Sequence, residues 1–259
     1  MRTLVLLMIL LGIAAGAWAG SVGDAVELRI ITDNGSELPF YPVSGQSPNR
    51  RVYAEAVKGD QYRIVVRNRL NRRVGIVVAV DGRNIITGKK SWLKNDERMY
   101  ILEPFAEGEF KGWRTGDDRI NRFYFTPAAD SYAAAFNDTS AMGVIAVAVY
   151  PELHYDPPVE MDRGASMNPF PAPSMQKRVQ AFDKIGESAG TGYGREEYSP
   201  VRTVAFEPER AAVEKIYVKY EWRETLCRKG IVACRKRLPR PRNRMWDDDG
   251  YAAPPPGRS

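Results

Sequence analysis

One histidine, His154, and two cysteines, Cys227 and Cys234, are all that 259 residues carry of the side chains most used for metal binding and proton relay. A single histidine excludes a His-rich metal centre and a histidine-based relay. His154 lies in PELHYDPP, and no Gly-x-Ser-x-Gly elbow frames Ser131, Ser166 or any other serine, so a hydrolase triad has no support. Gly190-Thr191-Gly192-Tyr193-Gly194 has the glycine density of a phosphate loop. It lacks the Gly-Lys-Ser/Thr ending and follows no clear strand, and it reads as a Gly-rich turn. Asp117-Asp118 and the acidic run at 247–249 lack the alternating oxygen ligands of a calcium loop. The sequence therefore calls for no metal and no cofactor.

Charge is also sparing. A net +6 on a chain of this length permits contact with acidic polymers but does not imply nucleic acid as a partner. Apart from the N-terminus, no apolar run is long enough to span a membrane. That terminus, residues 1–19, has Arg2 as its positive end, an apolar stretch at 4–15, and the small-x-small site Ala17-Trp18-Ala19. It reads as a signal peptide that leaves Gly20 as the mature terminus, with an uncleaved anchor as the alternative. The expected location is periplasmic or secreted. No cysteine follows the apolar stretch, which argues against a lipoprotein anchor. Nothing in the sequence sets an oligomeric state.

What the chain does have is apolar residues, at 44%, and strand periodicity. Its organising stretch is 73–88, RVGIVVAVDGRNIITG. Val74, Ile76, Val78 and Val80 share one strand face, and Gly75, Val77 and Ala79 the other, so the strand is apolar on both sides and should be covered on both. Asp81-Gly82 suits a type I′ hairpin turn, which Asn84 could close with a side-chain hydrogen bond. Further strands are expected at 26–32, 51–57, 62–69, 99–103, 108–113, 119–126 and 141–150. Residues 127–136, PAADSYAAAF, have the composition of a short helix. Short strands at roughly ten-residue spacing indicate an all-β protein, an antiparallel sandwich or jelly roll.

After Tyr150 the composition changes. Residues 151–200 hold seven of the 18 prolines and little periodicity, and read as an irregular arm with a short helix at 175–185. Strand character returns at 201–206 and 212–222, expected as a small C-terminal hairpin docked on the core. The organisation expected is thus a signal peptide (1–19), a β-sandwich (20–150), a Pro/Gly-rich arm (151–200), the hairpin region (201–234) and a disordered charged tail (235–259). Cys227 and Cys234, in CRKGIVAC, are spaced for neither a Cys-x-x-Cys redox site nor zinc, and in an exported chain favour a disulfide.

Two places suggest contact with a partner. RKRLPRPRNR at 235–244 is the densest basic run, suited to anionic envelope polymers or lipopolysaccharide, or else a solvated tail. On the main domain, Lys89, Lys90 and Trp92 follow the central hairpin in a polar loop, with Trp113 and Arg114 as possible contributors. A tryptophan ring stacks on a sugar face while lysine or arginine meets a carboxylate or phosphate. The competing expectation is that both tryptophans cap the open ends of the sandwich.

The blocks VAVDGRNIITG (78–88), MYILEP (99–104), GWR (112–114), FYFTPAADSYAA (123–134), GVIAVAVY (143–150) and GTGYG…YS…V…F (190–206) together resemble an uncharacterised family of exported bacterial proteins. The resemblance implies export and one shared architecture, and carries over no functional residue. The functional expectation is a non-enzymatic envelope protein that binds or builds. The alternative is a glycan-processing enzyme of sandwich fold, with Asp81, Asp118 or Asp130 as acids, which needs two carboxyls facing each other across a cleft.

Overall fold

The computed structural model describes residues 20–43, 49–153 and 188–234. The N-terminal segment, His154, the helix expected at 175–185, the basic run and the acids at 247–249 lie outside the described residues. Among the described residues fifteen strands make two sheets that pack face to face.

The strands in chain order are β1 (Ser21–Val22), β2 (Val26–Thr32), β3 (Phe40–Pro42), β4 (Arg50–Ala56), β5 (Gln61–Asn68), β6 (Val74–Val80), β7 (Arg83–Asn84), β8 (Tyr100–Leu102), β9 (Glu107–Phe110), β10 (Gly112–Arg114), β11 (Arg119–Pro127), β12 (Val144–Pro151), β13 (Ala189–Thr191), β14 (Glu196–Tyr198) and β15 (Glu214–Trp222), followed by helix α1 (Arg223–Arg228). The first sheet runs β1-β2-β5-β11-β10, with β9 also on β5 and β13 and β14 also on β11. The second runs β3-β4-β15-β12-β6-β7, with β8 also on β6. Every pairing is antiparallel except β4 with β15, which run parallel from Arg50↔Ile216 to Ala56↔Trp222. The antiparallel expectation holds for the first sheet, and the second is mixed.

Alternation decides which side chains enter the core. In β2, Val26, Leu28 and Ile30 are fully buried, while Glu27 and Arg29 point outward into ion pairs, Glu27 with Arg69 at 2.7 Å and Arg29 with Glu37 at 3.0 Å. In β6 all seven residues are buried. Val74, Ile76, Val78 and Val80 join the core between the sheets. Val77 and Ala79 join a second, smaller cluster on the outer face, with Leu93, Ala146, Ala148 and Tyr150. Thus the strand is covered on both sides, as its composition requires. β12 alternates in the same way beside it, with Val147 directly opposite Val78.

The loop after β7 makes that outer cover. Leu93 is turned inward with φ of 55°, and its carbonyl accepts a hydrogen bond from the Tyr150 hydroxyl at 2.5 Å. Met99 and Phe206 close over Gly75, where a Cβ would lie 2.2 Å from the Met99 sulfur and 2.7 Å from the Phe206 ring, so a larger residue would have to displace them.

Several elements differ from the sequence expectation. No separate C-terminal hairpin forms: 201–206 carries no strand, and β15 is inserted between β4 and β12 inside the second sheet. Its inward row, Ile216, Val218 and Tyr220, is fully buried, so a strand far along the chain completes the sandwich core. The described end of the arm likewise belongs to the fold, with β13 and β14 hydrogen-bonded to β11. The helix expected at 127–136 is two short 3₁₀ turns, Ala128–Asp130 and Ala134–Phe136. Ser131 interrupts them: its hydroxyl donates to the Ala128 carbonyl at 2.7 Å and accepts from the Ala134 amide, side-chain bonding that competes with a continuous helix.

The disulfide Cys227–Cys234 is present and ties α1 to the segment beyond it, across a turn at Gly230 with φ of 71°. No helix among the described residues is long and apolar enough to cross a membrane.

Candidate functional site

Asp81 and Gly82 both have positive φ, 49° and 79°, as a type I′ turn requires. Asn84 does not close that turn. Its side-chain oxygen accepts from the Ile86 amide at 2.9 Å and its nitrogen donates to the Arg98 carbonyl at 2.8 Å, so it shapes the next turn and pins the 89–98 loop.

Asp81 itself is more than a turn residue. Its side chain is wholly buried, and its carboxylate accepts hydrogen bonds from the Gly143 amide at 2.7 Å, the Thr191 amide at 2.7 Å and the Tyr220 hydroxyl at 2.5 Å. Burial pushes its pKa up to about 6 against the pull of those donors. Thr191 Oγ1 lies 2.7 Å from the Tyr220 hydroxyl and 2.8 Å from the Tyr62 hydroxyl. Each hydroxyl has one proton. With Tyr220 donating to the carboxylate, Thr191 must donate to Tyr220 and Tyr62 to Thr191. The result is one directed chain from β5 through β13 and β15 to the β6–β7 turn, linking the two sheets inside an otherwise apolar interface.

That chain fixes the Gly-rich stretch. Gly190 and Gly192 are the residues that let β13 and its continuation lie flat. A Cβ on Gly192 would meet the Tyr124 ring at 2.2 Å, and one on Gly190 would meet Ser131 at 2.7 Å. Gly190 and Thr191 lie in β13, and 192–194 continue past it without strand structure, Gly192 and Gly194 still hydrogen-bonded to β11. The stretch presents its own carbonyls to aromatic partners: Trp113 Nε1 donates to the Gly192 carbonyl at 3.0 Å, and the Tyr132 amide donates to the Thr191 carbonyl at 2.9 Å.

Beside it opens a cleft of about 370 Å³, lined chiefly by Trp113, Arg114, Tyr132, Phe136 and Tyr193, with Thr87 and Gly88 on one wall. Its rings touch one another. Tyr132 stacks with Tyr193 at 5.4 Å between centroids, and lies 4.4 Å from Trp113 and 5.0 Å from Phe136. Trp113 is buried, at 2% exposure, and forms the floor; Phe136 at 52% and Tyr193 at 45% stand open to solvent. Arg83 lies beneath, its guanidinium 4.1 Å from the Phe136 ring centre and donating to the Gly88 carbonyl at 2.7 Å. Among the described residues Arg114 is held by neutral acceptors only, the Tyr100 hydroxyl at 2.8 Å and the Ser199 carbonyl at 2.8 Å among them.

The five residues expected to meet a ligand therefore divide. Trp113 and Arg114 line the cleft. Lys89 and Lys90 continue from its Gly88 wall, and Trp92 lies farther along the same loop, 66% exposed with the Lys90 ammonium 5.3 Å from its ring centre. The two tryptophans do not share one role: Trp113 is a core side chain and Trp92 is not. Tyr132, Phe136 and Tyr193 were not legible as site residues. Two sit in a segment read as helix and the third in a Gly-rich turn, and only the tertiary fold brings them together.

Of the acids considered for glycan cleavage, Asp81 is buried and has its oxygens taken by three donors, and Asp118 and Asp130 are exposed on the surface. Among the described residues no group of three His, Cys, Asp or Glu side chains could hold a metal. No protein-family model, curated protein or solved structure matches the chain.

Proposed function

We propose that this chain is an exported, non-enzymatic β-sandwich that acts at the bacterial cell envelope by binding, and that its ligand is a sugar ring seated in the Trp113–Tyr132–Phe136–Tyr193 cleft. The observation that carries the reading is the pair of half-exposed rings, Phe136 and Tyr193, each packed against Tyr132 in a cleft that Arg114 also lines. A closed core does not require those rings at the surface, and their apolar faces match the C–H face of a pyranose. Among the described residues that line the cleft there is no carboxylate, which favours holding a sugar over cleaving it.

Isothermal titration of the protein with a panel of neutral and acidic envelope oligosaccharides tests this. Binding that falls at least tenfold in Tyr193→Ala and in Phe136→Ala, with melting unchanged, is the expected result; both rings are exposed enough for the fold to survive their loss. A parent protein that binds no member of the panel, or variants that bind like the parent, would overturn it. Export is tested separately, by N-terminal sequencing of material from outside the cytoplasm, expected to begin at Gly20. Material beginning at Met1 would favour an anchor.

A further inference from the structure

The rim of the cleft carries unbalanced charge. Arg114 has four hydrogen-bonding contacts, all to neutral oxygens: the Tyr100 hydroxyl, the Gly116 and Ser199 carbonyls and the Ser199 hydroxyl. Among the described residues no carboxylate comes within ion-pairing distance of it. Arg83 and Lys90 share one acid, Asp138, at 3.9 and 3.8 Å. Asp138 is itself buried, and accepts from both the hydroxyl and the amide of Ser140. Lys89, between the Gly88 wall and Lys90, is exposed. So four cations border the cleft and the loop beyond it, and among the described residues only Asp138, already engaged, comes within ion-pairing distance of any of them. The same loop carries exposed Asp96 beside exposed Lys94 and Arg98, and also Glu97. Glu97 is turned inward onto the Ser91 hydroxyl and the amides of Trp92 and Lys94, and so shapes the loop instead of facing outward from it. On the far side of the cleft, beyond Thr115, Asp118 pairs with Arg119 at 3.7 Å, so excess positive charge concentrates on the Lys89–Trp92 side.

A series of ring–cation and ion-pair contacts also runs in that direction. From Phe136 it passes through Arg83 and Asp138, both buried, to Lys90 at the surface, whose ammonium lies over the ring of exposed Trp92. A tryptophan two-thirds exposed, with a lysine over it, repeats the pairing of ring and cation already present in the cleft.

We infer that the ligand is an anionic saccharide chain of more than one sugar, with one ring in the Trp113–Tyr132–Phe136–Tyr193 cleft and the next acidic unit carried across Lys89 and Lys90 to Trp92. This rests on the sugar-binding reading above and adds to it charge and length. The rings supply stacking, which is indifferent to charge, and the lysines and Arg114 supply selectivity for carboxylate or phosphate.

The test uses the mature protein and three probes: oligogalacturonate, the same oligomer with its carboxyls reduced to alcohols, and the phosphorylated core oligosaccharide of lipopolysaccharide. At least one acidic probe should bind, more weakly as salt rises, and the reduced oligomer should bind at least tenfold more weakly than its parent. The double variant Lys89→Gln/Lys90→Gln should lose about tenfold for the acidic probe and little for the reduced one. Trp92→Ala should lose affinity for long oligomers and keep it for a disaccharide. Preference for galacturonate over core oligosaccharide would identify carboxylate as the recognised acid, and the reverse preference phosphate. Equal binding of native and reduced oligomers, with the lysine variant unchanged, would overturn the inference and leave the sugar cleft standing. Failure of all three probes would overturn both.

Discussion

The Tyr220 hydroxyl donates to the Asp81 carboxylate across 2.5 Å, although the two residues are 139 positions apart and each side chain is fully buried. Through Thr191 and Tyr62 the same bond extends to the other sheet. A carboxylate in such a place has an energetic signature. Its folded-state pKa of about 6 lies above its ordinary value of 3.8, because burial disfavours the charge more than three donors favour it. The folded state then holds the proton more tightly than the unfolded state, so the contribution of this group to stability is fully present below pH 4 and is lost as pH rises through 6. A shift of about two units corresponds to roughly 3 kcal/mol. Asp81→Asn removes the titration and places an amide N–H where a donor already points. It should destabilise the protein by about 1–3 kcal/mol at pH 7. It should also remove the fall in relative stability between pH 4 and 6. Glu27, Glu97 and Asp138, whose pKa values are lowered, contribute the opposite slope in parent and variant alike, so the difference between their denaturation curves isolates Asp81. A parent-minus-variant difference that is flat with pH would rule this account out.

Val78 and Val147 face each other on neighbouring strands, both inside the core between the sheets. Val78→Asp would bury a charge with no partner and should cost several kcal/mol, enough to prevent folding. Val78→Ala, which leaves a cavity without a charge, should cost about 1–3 kcal/mol and still fold. A soluble Val78→Asp protein that melts like the parent would contradict the placement of β6.

The parts of the fold that could be read from the sequence are those set by local pattern. β2 and β6 have the bounds that alternation predicts, because each buries a face whose residues are contiguous in the chain. What could not be read was set by distant partners. β15 looks from its sequence like one strand of a small hairpin docked on the core. Its place between β4 and β12 depends on Ile216, Val218 and Tyr220 matching rows more than 60 positions away, which no local period encodes. Asp81 was legible as a turn residue and not as the end of a buried chain, since Asp-Gly is favoured in turns whether or not the carboxylate is buried. Half of the cleft escaped for the same reason. Trp113 and Arg114 stood out as a tryptophan beside a cation, whereas Tyr132, Phe136 and Tyr193 carry no local mark, and only the seating of 190–194 against Tyr124 brings the last of them to the other two.

The Cys227–Cys234 bridge encloses the end of α1 and the Gly230 turn. Closing so short a loop is worth about 2.5 kcal/mol by chain entropy. Helix α1 has six residues, too few to persist unaided, with buried Leu226 and the Arg223–Glu55 ion pair at 2.7 Å as its other anchors. Native material should show no alkylatable thiol by mass spectrometry. The Cys227→Ser/Cys234→Ser variant should lose protection from hydrogen exchange at 223–234 first, while β6 and β12 stay protected.

The two loop-flanking tryptophans should respond to truncation in opposite ways. Trp113 is packed edge-on to Phe123 at 5.3 Å, lies against Tyr132, and spends its indole N–H on the Gly192 carbonyl. Trp113→Ala leaves a cavity under the cleft and an unpaired carbonyl above it. It should cost about 3–5 kcal/mol, as large-to-small core changes do. Trp92 is mostly exposed, and the position of its loop is set by Leu93 below and by Glu97 holding the amides on either side. Those anchors involve the Trp92 backbone and not its ring, so Trp92→Ala should leave stability within about 0.5 kcal/mol. Chemical denaturation of the two variants beside the parent measures both quantities. If Trp92→Ala proves as destabilising as Trp113→Ala, the ring is a structural cap and is not available to a ligand. If both variants are stable, the cleft floor is not built on Trp113. The expected pattern, one variant crippled and the other untouched, separates the residue that forms the site from the one left free to extend it.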